Sequence, residues 1–104
     1  MLTKDDIRGV SAMIPTPCKE GQGGWQFDDS VDLDETARMT EALISAGIGS
    51  IAANGTTGEC AALSLEEKLA FTRTIIEVAR GRVPVFAGIT TLGTKETVRQ
   101  MRMF

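Results

Sequence analysis

The chain contains no histidine, so Ser–His and Cys–His nucleophile pairs and histidine metal ligands are excluded within it. Its two cysteines, Cys18 and Cys60, are isolated, and no C-x-x-C spacing points to a zinc site or a disulfide framework. No apolar run approaches the ~20 residues of a membrane span, and Met1–Asp6 lacks the apolar core of a signal peptide. A cytoplasmic chain without a membrane partner is expected. Lysine and arginine never cluster beyond a pair, and the net charge is -3, so neither a nucleic-acid nor an anionic-membrane partner is expected. What remains is an ordinary globular composition, 42% apolar and 24% charged over 104 residues, with room for a modest core.

Three apolar runs read as strands: Val10 to Ile14, Ser50 to Ala53 and Val83 to Ile89. They are nearly continuous in small or β-branched residues, the pattern of parallel strands covered on both faces. Between them lie helical stretches. Asp32 with Glu35 three residues on opens the first, which presents Leu33, Ala37, Thr40, Leu43 and Ile44 and ends at Gly47. Ser64 and Glu67 form a capping box for the second, with Leu65, Leu69, Thr72, Ile76 and Ala79 on one face and Arg80-Gly81 as its stop. A third begins near Thr94, where Thr97, Val98 and Met101 share a face, and Phe104 follows without a C-cap.

The resulting order is β-α-β-α-β-α, an α/β chain. Its second and third strands start about 33 residues apart, close to the roughly 31 that eight units of a ~250-residue (β/α)₈ barrel imply. Doubly wound sheets share the alternation. Three strands cannot close a barrel and leave edges to be paired, so residues 1–104 are expected to be a segment of one barrel domain, cut in its third helix.

Gly47-Ile48-Gly49-Ser50-Ile51-Ala52 matches a dinucleotide pattern only in letters, because it follows a helix and runs into a strand. Asn54-Gly55-Thr56 has the form of a glycosylation sequon but no secretory signal precedes it. The segment Asn54-Gly55-Thr56-Thr57-Gly58-Glu59 has the right context for a site. It ends an apolar run and precedes a capped helix, and it offers two hydroxyls and open backbone amides, the chemistry of a carboxylate cradle. A tight strand-to-helix turn fits the same residues. Thr16, between Pro15 and Pro17, and Thr90-Thr91 would share that rim with Cys18 and Cys60, although strand-end threonines also serve as caps and Cys60 as a small packed residue. Trp25, in the loop Gly21 to Asp29, either lines a pocket for an aromatic ligand or folds back on its own loop. None of Lys4, Lys19, Lys68 and Lys95 ends an apolar strand, where desolvation would lower an amine pKa, and Lys68 reads as a solvated helix position.

Met13-Ile14-Pro15-Thr16-Pro17, Gly55-Thr56-Thr57-Gly58-Glu59, Leu63-Ser64-Leu65-Glu66-Glu67-Lys68 and Val83-Pro84-Val85 through Gly88-Ile89 together resemble the pyruvate-dependent class I aldolases related to dihydrodipicolinate synthase and N-acetylneuraminate lyase. The resemblance spans nearly the whole chain. It implies the N-terminal three β/α units of a (β/α)₈ barrel in which Gly55, Thr56, Thr57 and Gly58 bind the carboxylate of a 2-oxo acid. Thr16, Trp25, Glu59 and Cys60 would line the pocket. It also implies an imine between pyruvate and a lysine on a later strand, with a tyrosine relaying protons. This chain has no tyrosine, and both positions are expected downstream, so no catalytic residue is assigned within it and the segment alone is expected to be inactive. No metal and no cofactor beyond the imine is implied, and the family suggests a homotetramer.

Cys60 and the Gly-rich, Trp-bearing loop look most like the hydratase-aldolases of aromatic catabolism, which cleave benzylidenepyruvates to an aromatic aldehyde and pyruvate. Dihydrodipicolinate synthase or another 2-oxo acid aldolase is the alternative. From another class, a non-catalytic α/β module binding a small carboxylate also fits the residues.

Overall fold

The structure, a computed structural model, describes residues 1–104. Strands β1 (Ser11–Met13), β2 (Ser50–Ala53) and β3 (Val85–Ala87) alternate with helices α1 (Leu33–Ser45), α2 (Leu65–Ala79) and α3 (Thr94–Met101). The strands form one parallel sheet in the order β1-β2-β3. The strand spans are shorter than the apolar runs that predict them, yet pairing continues past their ends. Gly49 N donates to Val10 O at 2.9 Å, and Gly88 N to Ala53 O at 2.9 Å. Pro84 has no N–H to give, but its carbonyl accepts from Ile51 at 3.0 Å. No helix is long and apolar enough to cross a membrane.

The predicted helix signals are present in the geometry. Asp32 caps α1 through Glu35 N, although the Glu35 carboxylate turns to Arg38 instead of closing a reciprocal box. Ser64 and Glu67 form a complete capping box on α2, and Arg80 ends it in the left-handed region. The buried face of α2 is rotated from the predicted one. Phe71, Thr72, Ile75 and Ala79 are buried, while Ile76 is exposed. Lys68, expected in solvent, is also buried, because it lies one turn before Phe71 and Thr72 on the face that meets the sheet.

Period-two alternation divides the sheet into unequal faces. Ile51 and Ala53 point into a core with Ile14, Val31 and, from α2, Phe71 and Ile75, against which α1 packs Met39 and Leu43. On the other face, Met13, Ala52 and Phe86 stand side by side in register. Met13 and Phe86 are 71% and 42% exposed. Coverage on both faces, as the apolar runs suggest, is therefore not what these residues provide. The helices bury one side of the sheet only.

Candidate functional site

The site begins where β2 ends. Asn54 leaves the strand in the left-handed region at φ 56°, a conformation that asparagine tolerates better than most residues. Its side chain is fully buried, and Nδ2 donates to the Thr72 hydroxyl of α2 at 2.8 Å. The next residues fold into a tight turn. Gly58 N and Cys60 N both donate to Gly55 O, at 3.1 and 3.3 Å, and Glu59 N donates to Thr56 O at 3.0 Å. Thr56 and Thr57 are left exposed at the apex, and neither their backbone N–H groups nor their hydroxyls bond within the chain.

The threonine turn is held by its neighbours. Thr16, on the loop after β1, donates its hydroxyl to Gly58 O at 2.8 Å. A Cβ on Gly58 would stand 3.2 Å from Ile14 O and 3.3 Å from Thr16 Oγ1, so the absence of a side chain permits this approach. Gly55, Thr56, Thr57 and Gly58 line a cavity of about 390 Å³ that opens on the uncovered face of the sheet, walled by Met13, Ala52 and Phe86. No acid, base or amine lines it. Hydroxyl and amide donors in an otherwise apolar wall suit an anion that needs holding and orienting, and they supply no nucleophile.

The other predicted residues separate from this group. Thr16, Trp25 and Glu59 border a neighbouring cavity of about 400 Å³ with Phe27, Cys18 and Glu67. Trp25 is 96% exposed and does not fold back on its loop. Cys60 is buried behind the turn and lines neither of these two cavities. The Thr91 hydroxyl shares a hydrogen bond with the Thr97 hydroxyl and donates to Gly93 O at 3.2 Å, and neither Thr91 nor Thr90 lines either cavity.

The Trp25 loop is anchored at its base. Lys19 Nζ pairs with Asp29 at 2.9 Å, and Lys19 N donates to Ser30 O at 2.8 Å. Glu67 secures the loop to α2, accepting from Ser30 N at 2.9 Å, Ser30 Oγ at 2.7 Å and Ser64 N at 2.9 Å. Burial raises the pKa of this carboxyl, but the hydrogen bonds from Ser30 and Ser64 outweigh it and hold the value below the ordinary 4.5. A depressed folded-state pKa means a contribution that is complete above about pH 4.5 and is lost as pH falls through the folded value. Glu67→Ala is expected to cost about 1–3 kcal/mol at neutral pH. The gap from wild type should narrow as pH falls below 4.5, as read from urea melts over a pH series starting at pH 7.

A sequence model of the dihydrodipicolinate synthetase family matches residues 8–103. The chain belongs to this family. Among its relatives is the trans-O-hydroxybenzylidenepyruvate hydratase-aldolase of Pseudomonas putida, 48% identical over 97% of this chain and 30% of the relative. A solved structure of PhdJ bound to a substrate intermediate superposes with a TM-score of 0.90 at 42% identity, over 95% of this chain and 31% of that one. The dihydrodipicolinate synthase of Acinetobacter baumannii complexed with pyruvate gives 0.81 at 34% identity, over 92% and 31%. The chain thus spans about a third of the length of these family members. Its three parallel β/α units are the N-terminal units of the family's (β/α)₈ barrel. In that barrel the uncovered face of the sheet looks into the interior, and the threonine turn lies at the C-terminal rim, where barrel enzymes place their sites.

The sequence places Asn54 at the head of the cradle segment but does not announce its bond to Thr72, and it assigns neither Gly88 nor the Ser30–Glu67 tie. Only Asn54 carries a local signal, as an asparagine between an apolar run and a glycine. The Ser30–Glu67 contact joins residues 37 apart, and no local pattern announces it.

Proposed function

We propose that this chain supplies the carboxylate-binding rim of a pyruvate-dependent lyase of the hydratase-aldolase type. The observation that carries the reading is the pair of exposed threonines with unbonded amides and hydroxyls, facing an apolar cavity at the C-terminal end of the sheet. A 2-oxo acid fits this cavity through its carboxylate, and a relative in the same family holds pyruvate. The hydratase-aldolase assignment follows the relatives that share that name at 44–48% identity.

In this reading the carbonyl carbon of the 2-oxo acid condenses with a lysine amine, losing water, and the imine accepts the electron pair released when the C–C bond breaks. For a benzylidenepyruvate, water first adds across the C=C bond. Cleavage of the resulting alcohol then yields an aromatic aldehyde and pyruvate. The threonine turn fixes the carboxylate so that the carbonyl carbon meets the amine. In this proposal the lysine belongs to a later strand, and that none of Lys4, Lys19, Lys68 and Lys95 lines the cavity is consistent with it. Residues 1–104 alone would therefore bind without turnover. No metal or further cofactor is required, and the whole enzyme would be a homotetramer.

Borohydride reduction of the whole protein in the presence of pyruvate is the test. The expected result is a covalent pyruvate adduct on a lysine outside residues 1–104. No adduct, or an adduct on one of the four lysines of this chain, would rule the mechanism out.

A further inference from the structure

The turn that presents Thr56 and Thr57 is entered through a residue that is costly to keep where it is. Asn54 is completely buried, and its Oδ1 has no hydrogen-bond partner. An apolar side chain would avoid leaving an acceptor unsatisfied in the interior. What the amide provides is an anchor at a left-handed position. Nδ2 bonds the Thr72 hydroxyl at 2.8 Å, and Thr72 is itself only 3% exposed on the sheet-facing side of α2. The backbone of the same residue is contacted from the end of the neighbouring strand. A Cβ on Gly88, just past β3, would lie 2.6 Å from Asn54 O, so the two backbone segments touch at the limit of contact.

We infer that Asn54 and Thr72 are a positioning pair that fixes the direction of the Thr56 and Thr57 donors, an inference resting on the carboxylate-binding role proposed above. The φ and ψ angles of Asn54 set the plane of every residue in the turn after it. With α2 holding its side chain and β3 pressing on its carbonyl, the left-handed conformation is determined from two elements at once. Backbone conformations of this kind, kept despite an unsatisfied buried group, belong where a site needs preorganised geometry. Neither residue lines the cavity, so both act through the threonines.

The test uses the whole protein and pyruvate. Borohydride trapping is followed against pyruvate concentration, separating half-saturation from the limiting trapping rate. Thr72→Val keeps the shape and removes the acceptor; it is expected to raise the half-saturating concentration about tenfold while the limiting rate stays within about twofold. Thr72→Ser restores a hydroxyl and should bind within about twofold of wild type. Asn54→Gly keeps the left-handed backbone without the anchor and should lose affinity as Thr72→Val does, and the double variant should lose no more than either alone. Equal half-saturation in Thr72→Val and wild type, losses that multiply in the double variant, or failure of Thr72→Ser to rescue would overturn the pair. If Thr72→Val does not fold, wild-type affinity in Asn54→Gly overturns it equally. A wild type that forms no adduct overturns the proposed function and this inference together; an adduct with unaffected variants overturns this inference alone.

Discussion

Replacing both apex threonines with valine in the whole protein is expected to weaken pyruvate binding about 100-fold and leave the melting temperature unchanged. Both parts follow from where the side chains stand. Thr56 and Thr57 are exposed, and neither hydroxyl bonds within the chain, so valine of the same shape removes nothing from the fold. For a bound carboxylate the change is large. A hydrogen bond to a charged group is worth about 1.5–3 kcal/mol, and losing two of them costs at least about 3 kcal/mol, with each 1.4 kcal/mol a factor of ten. Titration of pyruvate by borohydride trapping, beside thermal melts, measures both. Unchanged binding in the double variant would reassign the turn to structure alone.

Gly88→Ala should have the largest effect on stability among the glycines around the site. Its Cβ would meet Asn54 O at 2.6 Å and Ala53 O at 3.2 Å. Both are backbone atoms of the strand end, so nothing flexible can move aside. Overpacking of this kind costs about 2–3 kcal/mol, a large share of the stability of a domain. Gly55→Ala provides the contrast. Nothing lies within 4 Å of its Cβ, and Gly55 is absent from the positive-φ residues. Its stability should therefore stay within about 0.5 kcal/mol of wild type. Urea melts of the two variants check the difference, and equal costs would contradict the packing described for Gly88.

Local signals carried most of the fold. Asp32, the Ser64–Glu67 box, Gly47 and Arg80-Gly81 mark the ends of α1 and α2 because capping is decided within four residues. The strands were equally visible as apolar runs, but their faces were not. Met13, Ala52 and Phe86 are apolar like Ile14, Ile51 and Ala53, and only the placement of α1 and α2 distinguishes the covered row from the open one. The α2 face differs from its predicted one for a related reason. Leu69 and Ile76 suit a core by composition, yet tertiary packing selected Phe71 and Ile75, carrying Lys68 into the interior with them.

At the site, the Gly-Thr-Thr-Gly segment was legible because a strand end followed by a capped helix is a sequence pattern. Its supports were not. The Thr16–Gly58 bond joins residues 42 apart, and Asn54–Thr72 joins residues 18 apart across two elements. Cys60 follows the cluster directly, and its place in the sequence fits a pocket wall and a small packed residue equally. The left-handed backbone at Glu59, φ 54°, redirects the chain before Cys60 and buries it.

The most direct measurement is a crystal structure of the whole protein after borohydride reduction with pyruvate. The trapped carboxylate is expected on the amides and hydroxyls of Thr56 and Thr57, within hydrogen-bond distance of both residues, with the covalent link to a lysine outside residues 1–104. A carboxylate held elsewhere, with the threonine turn facing only solvent, would contradict the role assigned to it.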